Sequence, residues 1–308
     1  MLARRPPKRK AQQPVKVGFN PLPWYATELG FNPAAGPPLP EIYRQIRQAG
    51  FDAVHVEVPE GMPVPDYRRL LDDSGLAPAP GYFQAAFSNQ SLAPADAESA
   101  RRTAAEHAEL GLTRIFIADL VTAWPRLAAP GQGAEPDQAR LDRVISNLGQ
   151  AAGIMVAEGV TPCLHQHVGS WIETPQETEA VLAAISEDLL LFGPDTGHLA
   201  WAGADPADII ERHLHRVGAV HLKDLRTIIT QDALSAGRGY REATARHAFT
   251  EPGRGDVDFA AVLKVLSRFA GWYVVEVDIP DQPTAQDTAR LSAQWVREHL
   301  AGQESADE

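Results

Sequence analysis

The residues of this chain that could do chemistry gather in a few short stretches. "PCLHQHVGSW" (162–171) holds His165 and His167, "DTGH" (195–198) holds Asp195 and His198, and "HLKD" (221–224) holds His221, Lys223 and Asp224. "FDAVHVEV" (51–58) carries His55 and Glu57, and "YVVEVD" (273–278) carries Glu276 and Asp278. Imidazoles and carboxylates grouped in this way are the usual donors of a transition-metal or zinc site, and they are also the groups that move protons in acid–base catalysis. Each residue also has a plainer reading. A lone strand histidine is often hydrogen-bonded core, Asp195 could cap the next helix, and Lys223 could pair with Asp224. Glu276 among β-branched residues is harder to place without a partner. Polar groups at several neighbouring strand ends are costly to bury unless they pair or bind something.

Periodicity defines the elements that must position these residues. Strands are predicted in "VKVGFN" (15–20), "FDAVHVEV" (51–58), "APAPGYF" (77–83), "TRIFIADL" (113–120), "VTPCLHQH" (160–167), "DLLLFGPDTGH" (188–198), "GAVHLKDL" (218–225) and "GWYVVEVD" (271–278). A helical pattern follows each, in 39–50, 64–76, 96–111, 137–159, 174–186, 205–217, 256–270 and 284–300. The strands are mostly unbroken apolar runs, as in parallel sheets covered on both faces. Gly50, Gly111 and Gly159 sit where helices should stop, and Thr174 and Asp205 where two should start. Eight strand–helix pairs predict an α/β fold, a single (β/α)8 TIM barrel over residues 15–300. The rival doubly wound sheet would carry a glycine-rich phosphate turn after its first strand, and "VGFNPLPW" has none. Active sites of TIM barrels form at the C-terminal ends of the strands. Residues two apart share a strand face, so His165 with His167, His221 with Lys223, and Glu276 with Asp278 should point together.

Taken in order, "DTGH", "HLKD", "EPGRGDVDF" (251–259) and "VVEVD" (274–278) resemble the xylose isomerase-like TIM barrels. That group includes sugar phosphate isomerases and epimerases and inosose dehydratases, and the resemblance runs through the whole predicted barrel. It implies a divalent metal held by residues at the ends of strands five to eight. By resemblance, Asp195, His221 and Glu276 take three of the four places. The first place, often glutamate, reads here as His165, with His167 as the alternative ligand. The histidine there and "VGFNPLPW" (17–24) resemble the inosose dehydratase-like branch. Two histidines with two carboxylates suit Mn²⁺ or Co²⁺ first, with Zn²⁺, Fe²⁺ or Mg²⁺ as alternatives.

The implied chemistry is polarisation of a ketone and removal of the neighbouring C–H proton to give an enediolate. Isomerisation, epimerisation and β-elimination of water share that first half. Epimerases of the group work with two metal-contacting glutamates, and only Glu276 of that pair is present. The expectation is therefore a lyase acting on a polyol ketone or sugar, with histidine suited to the acid role. A sugar isomerase or epimerase is the alternative, and a non-catalytic sugar-binding barrel the second. Glu276, Glu57, His167 and Lys223 are the expected catalytic residues. His198, Arg254 and Trp24 are expected to face the substrate, Arg254 from the end of a connection long enough to form a lid. Trp24, Phe83 and Trp201 could wall the site or simply pack, and Cys163 reads as barrel core.

Composition narrows the partners. The net charge of −12 becomes −17 once the five cations of the first ten residues are set aside, which disfavours a polyanion groove. The DNA-repair branch of the same superfamily, the endonuclease IV type, is disfavoured for that reason. Residues 1–14 read as a disordered basic arm and 301–308 as a flexible tail. With no long apolar run and one cysteine, the expectation is a cytoplasmic protein with a small sugar or polyol substrate, no nucleic acid and no membrane partner. A homo-oligomer is left open.

Overall fold

The computed structural model describes residues 15–27 and 30–300, so the basic arm and the tail lie outside the described residues. The barrel strands are β1 (Lys16–Phe19), β2 (Ala53–His55), β3 (Ala77–Ala79), β4 (Tyr82–Ala85), β5 (Arg114–Asp119), β6 (Thr161–Leu164), β7 (Leu191–Phe192), β8 (Ala219–Leu222) and β9 (Trp272–Val275). Neighbours pair in parallel in two runs, β8-β9-β1-β2-β3 and β4-β5-β6-β7. The bridges Phe192↔Val217 and Asp195↔His221 join β7 to β8.

The third predicted strand is split at Pro80–Gly81. β3 pairs with β2 and β4 with β5, so one barrel position is shared by two short segments. Proline offers no N–H to a ladder. The Gly81 N–H turns away to donate to His107 Nε2 at 3.0 Å. A Cβ on Gly81 would stand 2.1 Å from the Val56 carbonyl oxygen, so only glycine fits there.

All eight predicted helices form, together with four short ones: α1 (Leu39–Ala49), α2 (Val64–Ser74), α3 (Pro94–Glu109), α4 (Trp124–Ala128), α5 (Gln138–Ala157), α6 (Pro175–Ala184), α7 (Thr196–Trp201), α8 (Pro206–Arg212), α9 (Thr227–Ser235), α10 (Tyr240–Ala245), α11 (Phe259–Val265) and α12 (Ala285–His299). Thr174 starts α6 with a reciprocal capping box to Glu177, and Asp205 caps α8 through the Ala207 N–H. Gly50 ends α1 at φ 112°, a left-handed cap.

The two faces of each strand divide the labour. Outward residues such as Val54, Ile115, Ile117, Leu164, Val220 and Val275 are buried beneath the helices. Each such aliphatic side chain contributes about 1.5–3 kcal/mol, so this outer layer carries the stability and leaves the inner face free for polar groups. The inner layer, Ala53, Ala79, Phe116, Cys163, Ala219 and Val274, forms a small apolar plug in the barrel. Cys163 is fully buried there, and burial pushes its thiol up to about 12, in keeping with the core role.

Candidate active site

Two residues beyond the plug, the inward positions turn polar. Ala53 is followed by His55, Cys163 by His165, Ala219 by His221 and Val274 by Glu276. The same step on β1 leads from Gly18 to Asn20, and past β7 from Gly193 to Asp195. Both glycines are required by space, since a Cβ would come within 2.6 Å of Ala79 Cβ and 2.8 Å of Cys163 Cβ respectively. Small residues below therefore let polar ones converge above.

The converging atoms are short of partners. Both ring nitrogens of His165, both of His221, Oδ2 of Asp195 and Nδ1 of His55 are buried without a hydrogen bond. His221 Nδ1 lies 3.6 Å from Asp195 Oδ2 and 3.5 Å from Glu276 Oε2, too far for hydrogen bonds. Potential ligand atoms of His165, Asp195 and His221 all lie within 4.8 Å of one another. Phe116 supports the cluster from beneath, its ring centroid 3.8 Å from that of His221. Asp195 also fulfils its plainer reading: Oδ1 accepts the His198 N–H at 2.8 Å and caps α7, while Oδ2 is left for the cluster.

His165, His167 and His198 form a second close group. Two of its members have partners. His167 Nδ1 donates to the Val168 carbonyl at 2.7 Å, and His198 Nε2 lies 3.3 Å from the Lys223 ammonium. The two rings stack, with centroids 3.8 Å apart. Burial holds His167 down at about 3 and His198 well below its ordinary value, so both rings are neutral near pH 7.

Lys223 is the buried cation of the site. Its Nζ lies 2.9 Å from Glu276 Oε1 and 2.5 Å from Asp278 Oδ1. It does not pair with Asp224, which faces the other way and accepts the backbone N–H groups of Leu225, Gly255 and Val257. Burial alone would strip the lysine of its proton, but Asp278 and Glu276 raise it well above its ordinary value. Burial likewise raises Asp278, with Lys223 opposing. For Glu276 burial pushes the carboxyl up, but Lys223, His221 and His165 together outweigh it and hold the carboxyl well below the usual range. Asn20 Nδ2 adds a 2.6 Å hydrogen bond to Glu276 Oε2.

These residues fit a divalent cation. Asp195, Glu276 and Asp278 set three buried carboxylates against one buried ammonium, and buried charge needs compensation. The unpartnered His165, His221 and Asp195 atoms are the donors that would supply it.

The cavity above the cluster has a volume of about 1130 Å³ and is lined by Glu57, His55, His165, His167, Lys223 and Glu276 among others. Two expected substrate contacts lie elsewhere. Trp24 is buried in the helix–strand core, edge-on to Phe19, and donates its Nε1–H to Gln45 Oε1 at 2.8 Å. Arg254 is half exposed beside Glu251 and does not line the cavity. The long connection after Arg226 does cover the site, but through Tyr240 at the start of α10. That phenol donates to Asp278 Oδ2 at 3.2 Å and stacks on Trp201.

Asn20, Tyr240 and Glu173 are positioning residues absent from the sequence reading. Glu173, buried, accepts N–H groups from Gly131, Gly133 and Gly169 and so ties the loop after β6 to the loop after α4. Only Asn20 left a trace, as the polar end of an otherwise apolar strand.

Comparison with known proteins agrees with this architecture. Residues 43–299 match the family described as xylose isomerase-like TIM barrel. The chain is similar to the rhizopine catabolism protein MocC of Rhizobium meliloti, 28% identical over 90% of this chain and 86% of that protein. It is also similar to an inosose dehydratase of Geobacillus kaustophilus, 24% identical over 87% of this chain and 89% of that protein. Among solved structures, an L-ribulose 3-epimerase superposes with TM-score 0.68 at 18% identity, covering 94% of this chain and 96% of that one.

Proposed function

Because the chain belongs to the xylose isomerase-like TIM barrel family, we propose that its strand-end cluster is the centre of a divalent-metal-dependent lyase acting on a polyol ketone. The observation that carries this reading is the convergence of buried, unpartnered donor atoms from His165, Asp195 and His221 beside Glu276. These four residues would hold the ion, His165 in preference to His167 because His165 lies in the group with Asp195 and His221 and His167 does not. When bound, an ion such as Mn²⁺ or Co²⁺ supplies a Lewis acid that polarises the substrate carbonyl. The similarity to an inosose dehydratase over most of both chains supports an inosose-like ketone as substrate.

The chain's own residues supply the proton transfers. Glu276, kept ionised by Lys223 and Asn20, accepts the proton from the carbon next to the carbonyl. Lys223 remains protonated and donates to the departing hydroxyl, 2.9 Å from the carboxylate that has just gained a proton. Asp278 and Tyr240 hold that ammonium in place. His167, neutral, accepts or donates a hydrogen bond to substrate hydroxyls, with His198 packed against it. Glu57 lines the cavity as a further carboxylate able to orient the ring.

The test is ¹H NMR in D₂O with 2-keto-inositol and several ketoses, with and without Mn²⁺ or Co²⁺. Metal-dependent C–H exchange with loss of water is expected. An isomeric product in place of water loss would move the reaction to an isomerase or epimerase, and absence of exchange with metal present would leave a binding barrel.

A further inference from the structure

The cavity is larger than the proposed ketone needs. Clefts that enclose drug-sized ligands have volumes of about 300–1,000 Å³. This cavity, at about 1130 Å³, exceeds that range, whereas a six-carbon polyol is smaller than such ligands. Beside the strand-end cluster, an arm of the cavity reaches α3. Ser99, Arg102, Thr103, Glu106 and His107 line it there, a single stripe of the helix at three- and four-residue spacing.

His55 stands at the junction. Its ring centroid is 6.3 Å from that of His221 on one side, and His107 acts on it electrostatically from the other. It is 95% buried, and its Nδ1 has no partner. Charge decides what the arm could hold. Glu57, Glu60 and Glu106 set three carboxylates against the guanidinium groups of Arg102 and Arg241, and Arg102 itself lies 3.9 Å from Glu106 and donates to Ser99 Oγ at 3.3 Å. A phosphate would be repelled, whereas the Thr103 and Ser99 hydroxyls and the His55 nitrogen suit neutral hydroxyl groups.

We infer that this arm is a second subsite, which receives a neutral, hydroxyl-bearing substituent such as a glycosidically linked second ring. The physiological substrate is then a substituted, unphosphorylated ring ketone. This inference rests on the lyase reading for its chemistry. Where the substituent is attached through the oxygen on the carbon β to the carbonyl, elimination balances without a co-reactant. The C–H proton passes to the base and its electron pair forms the C=C bond. The C–O pair leaves with the oxygen, which is protonated, giving an unsaturated ketone and an alcohol in place of water.

The test uses the full chain reconstituted with Mn²⁺ and three ketones: 2-keto-inositol, a mono-O-glucosylated 2-keto-inositol, and the phosphate monoester of 2-keto-inositol. The glucosylated ketone should have a kcat/KM at least about tenfold above the free ketone. Ser99→Trp or Thr103→Phe, which fill the arm away from the cluster, should abolish that preference and leave 2-keto-inositol turnover unchanged. Calorimetry with the non-reacting glucosyl inositol reads the arm without catalysis, and the same variants should weaken its binding about tenfold. Preference for the free or phosphorylated ketone, or a preference that survives both variants, would overturn the inference. If no ketone reacts but the glucosyl inositol binds and loses affinity in both variants, the lyase reading fails and the arm stands. If it does not bind, the arm fails too.

Discussion

Asp195 and His221 face each other across the seam of the barrel, Oδ2 to Nδ1 at 3.6 Å, with no hydrogen bond between them. The same aspartate caps α7 through its other oxygen. One carboxylate oxygen therefore caps a helix while the other makes no hydrogen bond, and the two roles can be separated. Asn at a helix N-cap serves about as well as Asp, whereas Ala costs about 1 kcal/mol. Asp195→Asn should keep the apo protein's melting temperature close to wild type while metal affinity falls at least about tenfold. Asp195→Ala should lose both. Thermal unfolding in chelator, together with Mn²⁺ titration, distinguishes the two contributions.

Lys223 is predicted to matter for folding as well as catalysis. Replacing it by Met leaves Glu276 and Asp278 buried without their cation, at a cost of about 3–5 kcal/mol. Urea denaturation of the metal-free protein should show that loss, and the Lys223→Met/Asp278→Leu double variant should recover part of it. Turnover should fall by about 10²–10⁴-fold in the refolded, metal-loaded Lys223→Met protein, the usual scale for losing a general acid.

Asn20→Leu should move the pH profile. The Asn20 donor favours the ionised form of Glu276, whose carboxyl is held below the usual range. Removing the donor raises that pKa, so the acid limb of kcat/KM should shift to higher pH. A depressed carboxyl also contributes stability above the ordinary carboxylate range that is lost as pH falls through its native value, so the variant should lose stability at a higher pH than wild type. An unchanged acid limb would separate Asn20 from Glu276.

His107 gives a second pH signature, away from the cluster. Its Nε2 accepts the Gly81 N–H and its Nδ1 donates to the Thr103 carbonyl at 2.8 Å, an arrangement that requires a neutral ring. Burial lowers it to about 4. The unfolded chain takes up a proton near pH 6.5 and the folded one does not, so stability should fall between about pH 6.5 and 4, by roughly 3 kcal/mol from this group. His107→Gln should flatten that slope in urea titrations across the range.

The sequence made much of this site legible because a barrel strand has a period of two and ends at the active face. His165, His221 and Glu276 could be placed at strand ends from the strand pattern and in one set from the family resemblance, and the structure brings all three together. Alternation could not separate His165 from His167, which share a face; in the structure only His165 groups with Asp195 and His221. It could not find Tyr240, since α9 and α10 are short and their burial depends on Trp201 and Asp278, distant in sequence. Arg254 and Trp24 were misplaced for a related reason. "EPGRGDVDF" meets the barrel through the backbone of Gly255 and Val257 on Asp224, which points the arginine outward. Trp24 faces α1 because the turn after β1 packs down on it.

The most direct test of the central claim is metal content by mass spectrometry of protein purified with Mn²⁺, comparing wild type with Asp195→Ala and Glu276→Ala. One ion per chain is expected in wild type and none in either variant, with circular dichroism showing that both variants fold. Metal retained at wild-type stoichiometry in both variants would contradict it.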